Sequence, residues 1–178
     1  MKTPLLLTAL VLISLACKTK PKQEAQTTST TAVEDSAAAL AKRPTDNTPR
    51  SAADRLVRAL YFEHNKTENP MRETKDRALI EQFFAKSTAE LIWNDAQKST
   101  GKLNRKKING LYNVPDEAIK KTWVLPAVVG GTRAIVYVTF ENKAKPEEIK
   151  VEMQQTAGRW RITDMRYPDG TLLTQLVQ

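Results

Sequence analysis

The sequence predicts an α+β domain, and three observations predict it. Apolar residues recur at helical spacing from residue 51 to about 99, they alternate with period two from about 123 to 167, and Gly- or Pro-containing turns separate the alternating runs. Helices first and an antiparallel meander afterwards make a layered fold with one face of the sheet covered. The chain of 178 residues is long enough for one such domain with an appendage.

The first helix is expected to start at Ser51, an N-cap with Asp54 three places on. Ala53, Val57, Leu60 and His64 share its apolar stripe, with Leu56 and Tyr61 beside it, and Asn65-Lys66-Thr67 and Asn69-Pro70 break it. A second helix is expected over Arg72 to Ala85, facing inward with Leu79, Ile80, Phe83 and Phe84. Ser87-Thr88-Ala89-Glu90 reads as another capping box, opening a third helix through Leu91, Ile92 and Trp93 to about Ser99. Lys102 to Lys120 reads as loop, punctuated by Asn109-Gly110 and Pro115.

Four strands follow. Trp123 to Val129 is the first, where Pro126 demands an edge or a bulge, and Gly130-Gly131 is its hairpin turn. Arg133 to Glu141 points Ala134, Val136, Val138 and Phe140 inward, and Glu148 to Thr156 does the same with Ile149, Val151 and Met153. Ala157-Gly158 turns the chain into Arg159 to Tyr167, and after Pro168-Asp169-Gly170 the residues Thr171 to Val177 form a short closing segment. No disulfide is needed for a core of this size.

The first 50 residues read differently. Met1-Lys2 is a positive start, and Leu5 to Ala16 is apolar except for Thr8 and Ser14. That run is too short for a membrane-spanning helix, which needs roughly 20 apolar residues, and has the build of a secretory signal. It ends Leu15-Ala16-Cys17, and Cys17 is the only cysteine. These residues resemble the lipobox of bacterial lipoproteins, although Ser14 departs from the usual aliphatic position and Ile13 stands one place upstream. The resemblance implies cleavage after residue 16, acylation of Cys17 and stable anchoring, because several acyl chains hold far better than one. Lys18-Thr19-Lys20 lacks an acidic surface-export tag, so attachment to the outer membrane facing the periplasm is expected. Residues 17–50, rich in Thr, Ala, Ser, Gln and Lys with Val33 and Leu40 as the only large aliphatics, read as a disordered tether. Ala37 to Lys42 allows at most a passing helical turn.

The formal charge of +8, with 28 basic and 20 acidic residues, would usually raise nucleic acid as a partner. Export removes it, leaving anionic lipid, lipopolysaccharide or acidic proteins.

Trp160-Arg161-Ile162-Thr163-Asp164-Met165-Arg166-Tyr167 followed by Asp169-Gly170-Thr171-Leu172-Leu173, together with Ile108-Asn109-Gly110-Leu111-Tyr112-Asn113 leading to Asp116, resembles the DUF3828 group of secreted proteins and lipoproteins. Asn109-Gly110 and Pro115-Asp116 stand where that group tends to carry Asp-Pro and Gln-Asp. Three helices ahead of four strands also look like the NTF2-like (cystatin-like) superfamily. Over residues 51–178 this resemblance implies a cone: three N-terminal helices packed on a curved four-stranded antiparallel sheet, with a pocket between them. It implies no activity, since such folds host enzymes and binding modules alike.

The candidate pocket residues are His64, Trp93, Asp95, Tyr112, Trp123, Tyr137, Trp160 and Asp164. His64, the only histidine, is a base only with a partner in reach. Asp164 shares strand parity with Trp160 and Ile162, so on an inward face it would be paired, used as a cap, or raised in pKa. The aromatics either line a ligand pocket or fill the core. Lys102, Arg105, Lys106 and Lys107 form a basic loop, solvated or facing an anionic surface. No catalytic residue is assigned and no metal or cofactor is expected, because no nucleophile elbow, phosphate loop or ligand cluster is present. The sequence thus predicts a membrane-anchored envelope lipoprotein whose domain binds a protein or a small apolar molecule. The rival is an enzyme using Asp164 or His64 for acid–base chemistry in the cone. A homodimer through the sheets is compatible with either.

Overall fold

In the computed structural model the described residues are 36–45, 47–63, 76–98 and 108–178. They form an α+β fold with a five-stranded antiparallel sheet and several helices. Cys17, His64, Lys102, Arg105, Lys106 and Lys107, with the whole signal segment, lie outside the described residues. No helix among the described residues is long and apolar enough to cross a membrane.

Residues 36–40 form a short helix, α1. Helix α2 spans Ala52–Arg58 and continues as a π-helical turn over Ala59–Glu63. Ser51 caps it as the sequence requires: its hydroxyl accepts from the Ala53 and Asp54 N–H groups, and the Asp54 carboxylate accepts from the Ser51 N–H at 2.6 Å. Arg50 donates to the Val124 carbonyl at 3.0 Å, which ties this entry to the sheet.

Helix α3 is Arg77–Phe83, with Asp76 as N-cap accepting from the Ala78 N–H at 2.8 Å. Helix α4 is Lys86–Gln97. Its N-cap position is Ala85, with no side-chain cap, so the expected box at Ser87 does not form. The tertiary contact decides the start: the Ala85 N–H bonds to the Ile162 carbonyl at 2.8 Å, fixing the N-cap two residues earlier than the Ser-Thr-Ala-Glu pattern would.

The sheet has β1 (Ile119–Val124), β2 (Val128–Gly130), β3 (Arg133–Asn142), β4 (Lys145–Thr156) and β5 (Arg159–Arg166), in the order β1-β3-β4-β5 with β2 also on β3. The expected first strand is therefore two strands along one edge of β3. They part at Leu125-Pro126-Ala127, because proline has no N–H to give a ladder. Pairing of Gly130 with Arg133 leaves Gly131 and Thr132 as the turn residues, with Gly131 at φ 60°, one place later than expected. The reading of 102–120 as loop also ends early. Asn109 bridges Val114, a 3-10 turn covers Asp116–Ala118, and β1 is already running at Ile119. The closing segment is a one-turn helix, α5 (Leu173–Leu176).

Alternation puts Ala134, Val136, Val138, Phe140, Ile149, Val151 and Met153 inside, against Ala53, Val57, Leu60 and Tyr61 of α2 and its π turn, Ile80 and Phe83 of α3, and Ile92 of α4. Three tyrosines pin the 109–112 turn to this core. Tyr61 donates to the Leu111 carbonyl at 2.9 Å, Tyr167 donates to the Gly110 carbonyl at 2.6 Å, and the Tyr112 hydroxyl pairs with that of Thr122 at 2.8 Å. Tyr112 also packs edge-on against Tyr61 and Phe140, with centroids 5.2 and 5.0 Å away. The free edge of β5 is covered: the Thr88 hydroxyl donates to the Thr163 carbonyl at 2.7 Å, and Leu172 bridges Arg166. Covering an edge in this way removes a template for unwanted strand pairing.

Candidate functional site

The interior does not collect the expected pocket residues. Tyr112 and Asp95 are buried, while Trp93 and Trp160 are partly buried against the core. Trp123 and Tyr137 lie on the other side of the sheet.

Asp164 is also displaced from its expected place. The register pairs Glu152 with Asp164 and Met153 with Ile162, so Thr163 is an extra residue in β5. A bulge reverses side-chain parity beyond it. Ile162 and Met165 therefore point inward, and Asp164 sits opposite Glu152 on the outer face. One carboxylate oxygen of Asp164 accepts from the Met165 and Thr174 N–H groups at 2.8 and 3.1 Å, and the other accepts from the Thr174 hydroxyl at 2.7 Å. Asp164 holds the first turn of α5.

Burial sets the pKa directions of the tyrosines. It pushes Tyr61 well above the usual phenol value, helped by Tyr112 and Tyr167. It raises Tyr167 with Asp164 and Asp169 adding, and raises Tyr112 against the hydrogen bond from Thr122. These hydroxyls stay protonated; those of Tyr61 and Tyr167 act as structural donors, and that of Tyr112 pairs with Thr122. Among the described residues, no group of three His, Cys, Asp or Glu is arranged to hold a metal ion.

The candidate site is the outer face of the sheet. β3 turns Ile135, Tyr137 and Thr139 outward, and their β4 neighbours are Glu152, Lys150 and Glu148. In β1 a bulge at Lys121 and Thr122, with Lys121 at φ 49°, precedes Trp123. Trp123 lies opposite Thr139 and is 55 % exposed. Two ion pairs frame these aromatics: Lys121–Glu141 at 2.7 Å and Lys150–Glu152 at 2.8 Å. Exposed charge pairs of this kind stabilise little.

Residues of the expected tether reach this face, so the reading of 17–50 as structureless does not hold for residues 36–45. The Arg43 guanidinium lies 4.3 Å from the centre of the Tyr137 ring and pairs with the Glu148 carboxylate. The hydrogen bond it donates to Glu148 raises the Arg43 pKa further, so this cation is permanent. Sequence reasoning missed Arg43 because one arginine in a Thr-, Ala- and Lys-rich stretch carries no periodic signal.

Two clefts lie at the ends of the sheet. One of about 560 Å³ is lined by Tyr112, Asn113, Lys145, Glu147 and Asp169. The other, of about 1040 Å³, is lined by Phe84, Lys86, Glu90, Arg159 and Arg161. Both mix charges of either sign, and the Tyr112 and Tyr167 hydroxyls beside the first are engaged as described.

No family model matches the chain, and no curated protein matches it. Among solved structures, the chain is similar to a chain of the crystal structure of the type VI native effector–immunity complex Tae3-Tai3 from Ralstonia pickettii. The two share 21% identity over 67% of this chain and 94% of that one, with a TM-score of 0.42.

Proposed function

We propose that this protein is a lipid-anchored lipoprotein of the bacterial envelope whose domain acts by binding a protein partner, without catalysis. The anchor rests on the signal-like run ending Leu15-Ala16-Cys17. The domain is read as an NTF2-like cone of the DUF3828 kind, with five strands in place of four. One observation carries the binding function: Trp123 stands 55 % exposed on a sheet face beside Tyr137 and two ion pairs. Exposing an indole leaves apolar area in water that a partner would bury, and Trp, Tyr and Arg are the residues that dominate protein-contact energetics. Both oxygens of Asp164 are occupied by α5, which disfavours the rival reading in which that carboxylate moves protons in a cavity.

The test is a crosslinking pull-down from envelope extracts with the full chain, its Trp123→Ala variant and its Asp164→Asn variant. Loss of the enriched protein with Trp123→Ala alone supports the reading. Retention with Trp123→Ala and loss with Asp164→Asn would move the site away from the outer face.

A further inference from the structure

The outer face of the sheet already has an occupant. The backbone of α1 packs directly on Gly130: a Cβ added there would stand 2.5 Å from the Ser36 carbonyl oxygen and 3.0 Å from the Leu40 Cγ. Gly130 lies in β2 without a positive φ, so the turn does not call for a glycine here. The close approach of α1 does. Three residues beyond Leu40, Arg43 stacks on Tyr137 and pairs with Glu148. Residues 36–43 thus hold the face at two points, one aliphatic and one guanidinium.

Neither point is well filled. Arg43 has a side chain 60 % exposed. Beside Leu40 lies a cavity of about 400 Å³, whose lining includes Ile135 and Met153 together with Arg133, Glu152, Gln154 and Thr163. The chief advantage of this strap is its tethering, which supplies a high effective concentration of weak contacts. A free segment placing a larger apolar side chain in that cavity would bury area that Leu40 leaves in water. The same segment would need a guanidinium for Tyr137 and Glu148, since a planar cation both stacks on a ring and forks onto a carboxylate, which an ammonium does not.

We propose that the outer sheet face is a docking site for a partner-protein segment carrying a bulky apolar side chain three residues before an arginine, and that residues 36–43 occupy it until such a segment displaces them. This rests on the protein-binding reading and specifies the partner's chemistry. Glu148 at the arginine position complements a guanidinium, whereas at the cavity Glu152 is paired with Lys150 and stands near Arg133.

The test uses the full-length chain in detergent and one probe, a synthetic peptide with the sequence of residues 36–45 carrying Leu40→Phe. Binding is followed by the tryptophan fluorescence change that a Trp123→Phe variant loses, and release of the strap by amide exchange over residues 36–40. An Arg43→Ala chain, whose own strap is weakened, is expected to bind the peptide about ten-fold tighter than the unaltered chain. Adding Glu148→Gln to that variant is expected to return the affinity to or below the unaltered level, and Gly130→Ala to block the peptide and release the strap alike. Glu148→Gln changes only a partly exposed side chain, so the test survives if Gly130→Ala fails to fold. Equal affinity for the unaltered chain, Arg43→Ala and the Glu148→Gln double variant would overturn the proposal, as would no binding to Arg43→Ala. If the peptide fails while the Trp123-dependent pull-down holds, the segment chemistry falls and the protein-binding reading stands. If both fail, the reading falls with it.

Discussion

Replacing Asp164 by alanine removes three hydrogen bonds at once. The carboxylate accepts from two backbone N–H groups, Met165 and Thr174, and from the Thr174 hydroxyl. Bonds to a charged acceptor contribute roughly 1.5–3 kcal/mol each when buried, but this site is half-exposed and water replaces part of the loss. The expected cost is therefore about 2–3 kcal/mol, well below the simple sum. For a domain of this length that lowers the melting temperature by roughly 6–12 °C. Asp164→Asn keeps one carbonyl oxygen for the N–H donors and turns its amide toward the Thr174 oxygen, so its cost is expected to stay under about 1 kcal/mol. Urea unfolding followed by circular dichroism measures both variants, and amide exchange at Leu173 to Val177 locates the change. In the alanine variant those amides are expected to exchange faster, because α5 carries the buried Leu173 and is followed by the buried Val177. An alanine variant within about 0.5 kcal/mol of the unaltered protein would refute this capping role. An asparagine variant as damaged as the alanine would show that charge, and not hydrogen bonding, holds α5.

Three further outcomes are expected. Tyr61, Tyr112 and Tyr167 have pKa values raised by burial, so they stabilise the fold fully below about pH 10 and lose that contribution as pH rises toward their folded values. Stability should fall by up to about 4 kcal/mol per pH unit above pH 10, and in a Tyr137→Phe background, which leaves these three tyrosines alone, tyrosinate absorbance and unfolding should appear together; tyrosinate forming in that folded variant would contradict it. Lys143 and Ala144 form the β3–β4 turn with φ of 50° and 68°, both left-handed without a glycine. Ala144→Gly should raise stability by about 1 kcal/mol in a urea melt, and a loss would mean that the methyl group packs usefully. Cells fed a clickable fatty acid should label the chain and lose the label with Cys17→Ser; label retained on the variant would remove the lipid anchor from the account.

What could be read from the sequence follows from where the information is local. The alternation of Ala134, Val136, Val138 and Phe140 is a property of consecutive residues, and the core face of β3 was legible from it. Ser51 and Asp54 likewise carry their capping geometry within four residues. The failures sit where distant contacts choose between local options. A bulge at Thr163 depends on the β4 register, so the face of Asp164 was not legible from parity. The start of α4 at Lys86 depends on a hydrogen bond to Ile162, which outweighs the Ser87 pattern. One turn of helix at Leu173–Leu176 has too few residues to show a period, and its existence depends on Asp164. Arg43 finds Tyr137 and Glu148 only once β3 and β4 have paired, so the outer face could not be assembled from spacing.

Whether the outer face is where this protein meets a protein partner can be read from a photo-crosslinking residue placed in living cells at position 123, at Glu81 on α3, or at Phe62 on the π-helical turn after α2. One discrete adduct is expected from position 123, weakened by Glu148→Gln, and none of that size from positions 81 and 62. Equal adducts from all three positions, or an adduct from 81 or 62 alone, would contradict it.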